Sequence, residues 1–164
     1  MAEPHVVIAA TARERDDAFA VRIAVFVDEQ GIARSDELDD FDASATHCVA
    51  YVDGAPVAAG RLIIMDNFTP SPSPPEGEGG RRPGEGSAYA KIGRMAVLAS
   101  HRGAGLGALV LDALEREAAA RGVRHVKLSS QLHARGFYER RGYTAHGDVY
   151  DDVGIPHIDM EKRL

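Results

Sequence analysis

A chain of 164 residues with 45% hydrophobic content has the length and the apolar material of one domain built on one core. It holds no apolar run of about 18 residues, so no membrane-spanning helix is expected. A net charge of −6 argues against nucleic acid or an anionic membrane as the main partner. A small anionic ligand stays open, because screening over about 8 Å leaves such binding to local cations.

The opening residues, MAEPHVVIAATARERDD, lack a basic stretch followed by an apolar one, so no export signal is read and a cytoplasmic location is expected. Within them His5–Thr11 is short and rich in β-branched residues, which predicts a first strand. RERDDAFAVRIAVFVDEQGI then spaces Phe19, Val21, Ile23, Val25, Phe26 and Val27 near helical intervals, with Asp16 and Asp17 at the helix start and Gly31 at its end. RSDELDDFDAS is acidic and reads as a solvated loop with room for one helical turn.

HCVAYV-DGAP-VAAGRLIIM reads as two strands around an Asp53-Gly54 turn, the strongest short hairpin signal in the sequence. The single cysteine, Cys48, lies in the first of them, as a buried thiol with no disulfide partner in the chain. A segment dense in Pro, Gly, Ser and charge follows at about 66–88; it is expected to be a flexible insertion between strands, since it has little apolar surface to bury. Lys91–Leu98 is a central strand. Leu106, Leu109, Val110, Ala113, Leu114 and Ala118 line one face of a helix closed by Arg121-Gly122. VRHVKLSS is a strand, QLHARGFYERRG a short helix ended by Gly142, and YTAHGDVYDD and IPHIDMEKRL complete the set as strands. The order predicts an α/β domain spanning residues 1–164, with a hairpin-rich first half and one crossover at its centre.

At the start of the middle helix stands HRGAGLG. A helix start leaves its first backbone N–H groups without partners and adds partial positive charge there. Gly103, Gly105 and Gly107 carry no Cβ, so a bulky anion can reach those amides, with Arg102 beside them. The competing reading is a tight strand-to-helix turn in which glycine serves packing alone. A P-loop is excluded, because the run ends Gly107-Ala108-Leu109 where that motif needs Gly-Lys-Ser/Thr. A dinucleotide fingerprint is formally met by Gly103, Gly105 and Ala108, but KLSSQ stands where its ribose-binding carboxylate belongs.

A third design, Arg/Gln-x-x-Gly-x-Gly/Ala, is met by Arg102, Gly105 and Gly107. Together with VFVDEQG, GRMAV, FYERRGY and GIPH in that order, it resembles the GNAT superfamily of N-acetyltransferases, and within it the ElaA-like branch, over nearly the whole chain. The resemblance implies a GNAT fold: a mixed central sheet of about six to seven strands with flanking helices and a V-shaped splay between the central strands. It implies acetyl-coenzyme A as co-substrate. Arg102, Gly103, Ala104, Gly105, Leu106 and Gly107 would hold its pyrophosphate, and Met95, Ala96 and Val97, on a bulged strand, would pair with its pantetheine arm. The acceptor would be a small-molecule or peptide amine, and many relatives pair as homodimers.

The resemblance also gives Tyr138, in FYERRGY, a place near the thioester sulfur, where a phenol can protonate the departing thiolate. The attacking amine raises a separate problem. An alkyl ammonium of pKa about 10.4 is neutral only once in about 2,500 molecules at pH 7, a cost of about 4.6 kcal/mol. Glu29, Asp36, His47 and His157 are candidates for taking a proton from it; Glu29 lies in a segment that faces the acceptor in the family, and His157 in the branch-typical GIPH. The seven histidines show no paired ligand spacing, so no metal is expected, and Ser129 and Ser130 lack the G-x-S-x-G setting of a serine hydrolase. The alternative to an enzyme is a non-catalytic coenzyme A-binding regulatory module, which keeps the glycine grip and makes Tyr138 dispensable. A partner-docking role for PSPSPPEGEGG has only weak PxxP-like support.

Overall fold

The computed structural model describes residues 3–66 and 88–164. The Pro/Gly-rich insertion expected at about 66–88 lies outside them, apart from its end residues Asp66 and Ala88. The first strand, β1 (His5–Ile8), stops short of Thr11 because Thr11 caps the next helix. Its hydroxyl accepts the Glu14 amide at 3.1 Å, and the Glu14 carboxylate accepts the Thr11 amide in return. Helix α1 (Ala12–Arg22) therefore begins before Asp16 and Asp17, which sit inside it rather than at its start. It continues without a break as a π-helical segment, Ile23–Glu29, and Gly31 ends it at φ +74°. Ala18, Val21, Val25 and Phe26 bury their face against Val49, Ala59 and Ala96.

The acidic segment is not a solvated loop. It forms a short helix α2 (Arg34–Glu37) and a 3-10 turn (Asp40–Ala43), and the carboxylates of Glu37, Asp39 and Asp42 are drawn inward by arginines. Fully buried Arg22 donates to Glu37 and to Asp42 at 2.7 Å each, and Arg61 reaches Asp39 at 2.7 Å and Asp42 at 2.9 Å. Burial alone would disfavour a charged Asp42, but hydrogen bonds from Arg22 and Arg61 outweigh it and hold its carboxyl far below the usual range.

Strands β2 (Thr46–Val52) and β3 (Ala55–Met65) form the expected hairpin, with Asp53 at φ 52° and Gly54 at φ 78° matching the twist of the strands they join. Next come β4 (Tyr89–Val97), α3 (Leu106–Ala120), β5 (His125–Gln131), α4 (Arg135–Arg140), β6 (Thr144–Asp152) and β7 (Ile155–Arg163). They make one seven-stranded mixed sheet in the order β1-β2-β3-β4-β5-β7-β6. Helices α3 and α4 cover one face, where Leu106, Val110, Leu111, Leu114 and Ala118 join the main core. Leu109, expected on that face, is 38% exposed; Ala108 and Leu111 point inward instead. Helix α3 crosses β3 closely at Gly60, where a Cβ would fall 2.7 Å from Met95 Sδ and 2.8 Å from side-chain carbons of Val110 and Leu114.

Two irregularities shape the centre. The step from Ala59 to Arg61 on β3 is matched by a longer step from Ala96 to Gly93 on β4. That is a β-bulge, and it puts Arg94 at φ 53°. Parallel neighbours β4 and β5 are in register only at Ala90–Val126 and Lys91–Lys127. Past those pairs the strands part, opening the V between Met95–Val97 on one side and Ser129–Gln131 on the other. Helix α1 covers β2–β4 on the second face, and among the described residues no helix covers the β5-β7-β6 half of that face.

Candidate active site

The site is built around this parting of β4 and β5. Leaving β4, the chain makes a 3-10 turn (Ala99–His101), then Arg102, and reverses through Gly103 at φ +84° and Gly105 at φ +81° into α3. Gly105 is the N-cap residue and has no side chain with which to cap; the first turn carries no acidic residue. The first intrahelical bond runs from the Leu109 amide to the Gly105 carbonyl at 3.2 Å, which leaves the amides of Leu106, Gly107 and Ala108 without partners inside the helix. A Cβ at Gly103 or Gly105 would meet nothing within 4 Å, whereas one at Gly107 would touch Phe137 and Val97 at 3.6–3.7 Å. Gly103 and Gly105 thus keep the approach to the helix mouth bare, and Gly107 lets Phe137 pack against α3. Exposed Ala104 lies between the two open glycines.

Arg102 stands at the edge of this mouth. Its Nε donates to the Val97 carbonyl at 3.0 Å and its Nη2 donates to Glu29 at 2.8 Å. The hydrogen bond from Arg102 lowers the Glu29 pKa, so this carboxylate serves the arginine at the cost of its own basicity. Met95 lies in the bulge, with Ala96 and Val97 just beyond it; Ala96 and Val97 pair with Ala59 and Ala58 of β3, and the other edge of this stretch faces the opening.

Tyr138 lies on α4, 7% exposed, with its ring edge-on to Phe137, which faces Gly107, at 5.0 Å and to Tyr143 at 5.8 Å between centroids. Burial alone pushes its hydroxyl pKa well above the ordinary phenol value. His157 lies on β7 opposite Gln131, buried, stacked on Tyr150 at 6.1 Å. Its Nδ1 donates to the Ile155 carbonyl at 2.7 Å. Of the other candidates for a base, Asp36 is exposed on α2, and His47 is enclosed beside Phe19 with Nε2 2.9 Å from the Asp42 carbonyl. The structure brings neither of these two to the opening.

Several groups here left no signal in the sequence. Gln30, at the end of the π-helical segment, and Gln131, at the end of β5, exchange amide hydrogen bonds of 2.8 and 3.3 Å across a sequence separation of 101 residues. Adjacent Glu29 and Gln30 therefore tie α1 to both walls of the V. On the uncovered face Ser129, Tyr150 and Asp159 form a hydrogen-bonded row across β5, β6 and β7. Only strand registry brings these three together.

Residues 79–164 match the model of the acetyltransferase (GNAT) domain, more than half of the chain. The chain belongs to the GNAT acetyltransferase family. It is 35% identical over 157 residues to the uncharacterized N-acetyltransferase YjcF of Bacillus subtilis, covering 95% of this chain and 97% of that one. Among solved structures it resembles an acyl-CoA N-acyltransferase from Pseudomonas aeruginosa, at 28% identity, a TM-score of 0.72 and 99% of both chains. Escherichia coli ElaA shares the fold at 24% identity and a TM-score of 0.74, over 99% of this chain and 100% of that one. The seven-stranded mixed sheet with flanking helices is thus that of a GNAT acetyltransferase, a family that uses acyl-coenzyme A to acylate amines.

Proposed function

We propose that this chain transfers the acetyl group of acetyl-coenzyme A to a primary amine by direct attack, with both substrates held at once in a single domain spanning residues 1–164. The observation that supports the reading is the bare, positive-φ entrance to α3 at the mouth of the V, where Gly107 faces Phe137, the neighbour of buried Tyr138. The amides of Leu106, Gly107 and Ala108, the open backbone of Gly103–Gly105 and the Arg102 guanidinium fit a pyrophosphate, each charge-assisted bond contributing about 1.5–3 kcal/mol. The edge of Met95–Val97 that faces the opening fits the amide groups of a pantetheine arm. Tyr138, kept protonated by burial, supplies the proton that the departing sulfur needs.

Direct attack is favoured by the state of the one thiol. Cys48 is fully buried on β2, and burial pushes its pKa up to about 12, which disqualifies it as an acyl carrier. Glu29 orients Arg102, and His157 sits one strand beyond the V with its ring against Tyr150.

The test is release of coenzyme A from acetyl-coenzyme A in the presence of a panel of amines, with the acetylated product identified by mass spectrometry. Turnover with at least one amine above the rate of plain hydrolysis is expected. Binding of acetyl-coenzyme A without turnover of any amine would instead identify a non-catalytic coenzyme A-binding module.

A further inference from the structure

The uncovered face of β5-β7-β6 carries a chain of hydrogen bonds with a fixed direction. Tyr150 OH donates to Asp159 Oδ1 at 2.7 Å, since a carboxylate can only accept. Its single hydrogen being spent there, the Tyr150 oxygen must accept from Ser129 Oγ, its other partner. Ser129 has then used its own hydrogen as well, and what its oxygen still offers is lone pairs. The chain therefore ends in a group that receives an N–H donor.

The position of that end matters. Ser129 lies on β5 just past Lys127, the last residue in register with β4, so it stands where the V begins to open. It is exposed, and it faces away from the buried Leu128 and Ser130 that pack toward α3 and α4. Tyr138 belongs to the opposite, helix-covered face. A thioester lying in the opening would have Tyr138 on one side of the sheet and Ser129 on the other. Attack by the amine from the uncovered face then puts the nitrogen beside Ser129 and the leaving sulfur toward Tyr138. His157, on β7, is one strand farther from the V and is stacked behind Tyr150.

We propose that Ser129 is a catalytic proton acceptor of this enzyme and that Tyr150 and Asp159 are positioning residues that carry the proton onward. The proposal rests on the acetyltransferase reading above and adds the route by which the nitrogen loses its proton during acyl transfer. The amine attacks in its neutral form, its ammonium having first released one proton to solvent; as the N–C bond forms and the C–S bond breaks, the nitrogen gives a further proton to Ser129 Oγ. The Ser129 hydrogen passes to Tyr150, and the Tyr150 hydrogen passes to Asp159, which releases it to solvent. The sulfur takes the Tyr138 proton, which solvent replaces, so the balance is one amine and one thioester to one amide and one thiol. The developing ammonium is far more acidic than a free one, which brings its proton within reach of a carboxylate. Other titratable groups on this face include His146 opposite Asp159, Asp152 beside Tyr150, His157, Lys127 paired across to Glu161, His125 bonded to Glu161 at 2.8 Å, and Arg163 paired opposite His125.

The test is steady-state kinetics of the full chain with acetyl-coenzyme A and an amine that the wild-type protein acetylates, repeated in mixtures of H2O and D2O. Ser129→Ala, Tyr150→Phe and Asp159→Asn are each expected to lower kcat about a hundred-fold, leaving the KM for acetyl-coenzyme A unchanged. Ser129→Thr should restore most of the rate. The wild-type rate should fall along a curve with deuterium fraction, as expected when several protons move together, and Tyr150→Phe should make that dependence straight. Wild-type turnover in Ser129→Ala and Tyr150→Phe would overturn the relay and leave the acetyltransferase reading intact. So would a loss confined to the KM for the amine, or a rate removed by His157→Asn but not by Ser129→Ala. Absence of turnover by the wild-type protein with every amine would overturn both.

Discussion

Arg102 Nη2 lies 2.8 Å from the Glu29 carboxylate while its Nε is held by the Val97 carbonyl at 3.0 Å. The guanidinium is thereby fixed between the end of the π-helical segment and the end of β4, at the rim of the glycine turn. Both partners are well exposed, so the pair contributes little to stability. Its value lies in pointing a cation at the mouth of α3. Arg102→Ala should weaken acetyl-coenzyme A binding by about 1.5–3 kcal/mol, roughly 10- to 150-fold in Kd, and leave the melting temperature nearly unchanged. Glu29→Gln should change Kd less, because the cation survives. Calorimetric titration of the two variants checks both statements, and an unchanged Kd in Arg102→Ala would contradict the grip.

Gly105→Val tests the backbone half of the same grip. At φ +81° a β-branched residue is strained by about 1–3 kcal/mol, and its side chain would enter the open space above the first-turn amides. Binding should fall further than in Arg102→Ala, since several amide contacts are obstructed together, and thermal stability should drop measurably. Gly107→Ala makes the contrast: its added methyl meets Phe137 at an ordinary 3.6 Å and should be tolerated.

Much of this architecture was legible in the sequence because it is local. The Asp53-Gly54 hairpin, the Arg102–Gly107 turn and the striped middle helix each depend on residues close together in the chain. Asp16 and Asp17 have the character of dipole-compensating acids at a helix start, but the reciprocal bonds of Thr11 and Glu14 fix the boundary a turn earlier. Leu109 falls outside the buried stripe; spacing alone does not say where that stripe is centred. The acidic stretch misled for a different reason. Its partners Arg22, Arg61 and Arg94 come from three elements, and only tertiary folding puts them around Glu37, Asp39 and Asp42. The Gln30–Gln131 clasp and the Ser129–Tyr150–Asp159 row are likewise products of strand registry, which no spacing rule reveals.

Tyr138→Phe separates chemistry from packing. The ring keeps its edge-on contacts with Phe137 and Tyr143, and burial is the cause of the raised hydroxyl pKa, so removing the oxygen should leave the core undisturbed. The kcat is expected to fall about a hundred-fold with acetyl-coenzyme A affinity retained. Wild-type turnover in this variant would remove Tyr138 from the reaction and return it to the core as a packing residue.

Asp42 provides a test of the buried ionic cluster. It accepts from Arg22 at 2.7 Å and from Arg61 at 2.9 Å, and Arg22 is wholly enclosed. Asp42→Ala leaves these cations short of a partner in a dry environment and should cost about 3–5 kcal/mol of unfolding free energy. The pH dependence has a definite sign. A carboxyl whose folded pKa lies below its unfolded value of about 3.9 contributes stability above that value and loses it as pH falls toward the folded one. Urea unfolding should therefore show the full gap between wild type and Asp42→Ala at pH 7, and a gap that narrows only below about pH 4. A gap that disappeared between pH 7 and 5 would mean that Asp42 is not held by its arginines. Because α2 and the 3-10 turn hang on these bonds beside the β4 bulge, where Arg94 reaches Glu37 at 3.2 Å, the same loss should also loosen the bulge that helps to open the V.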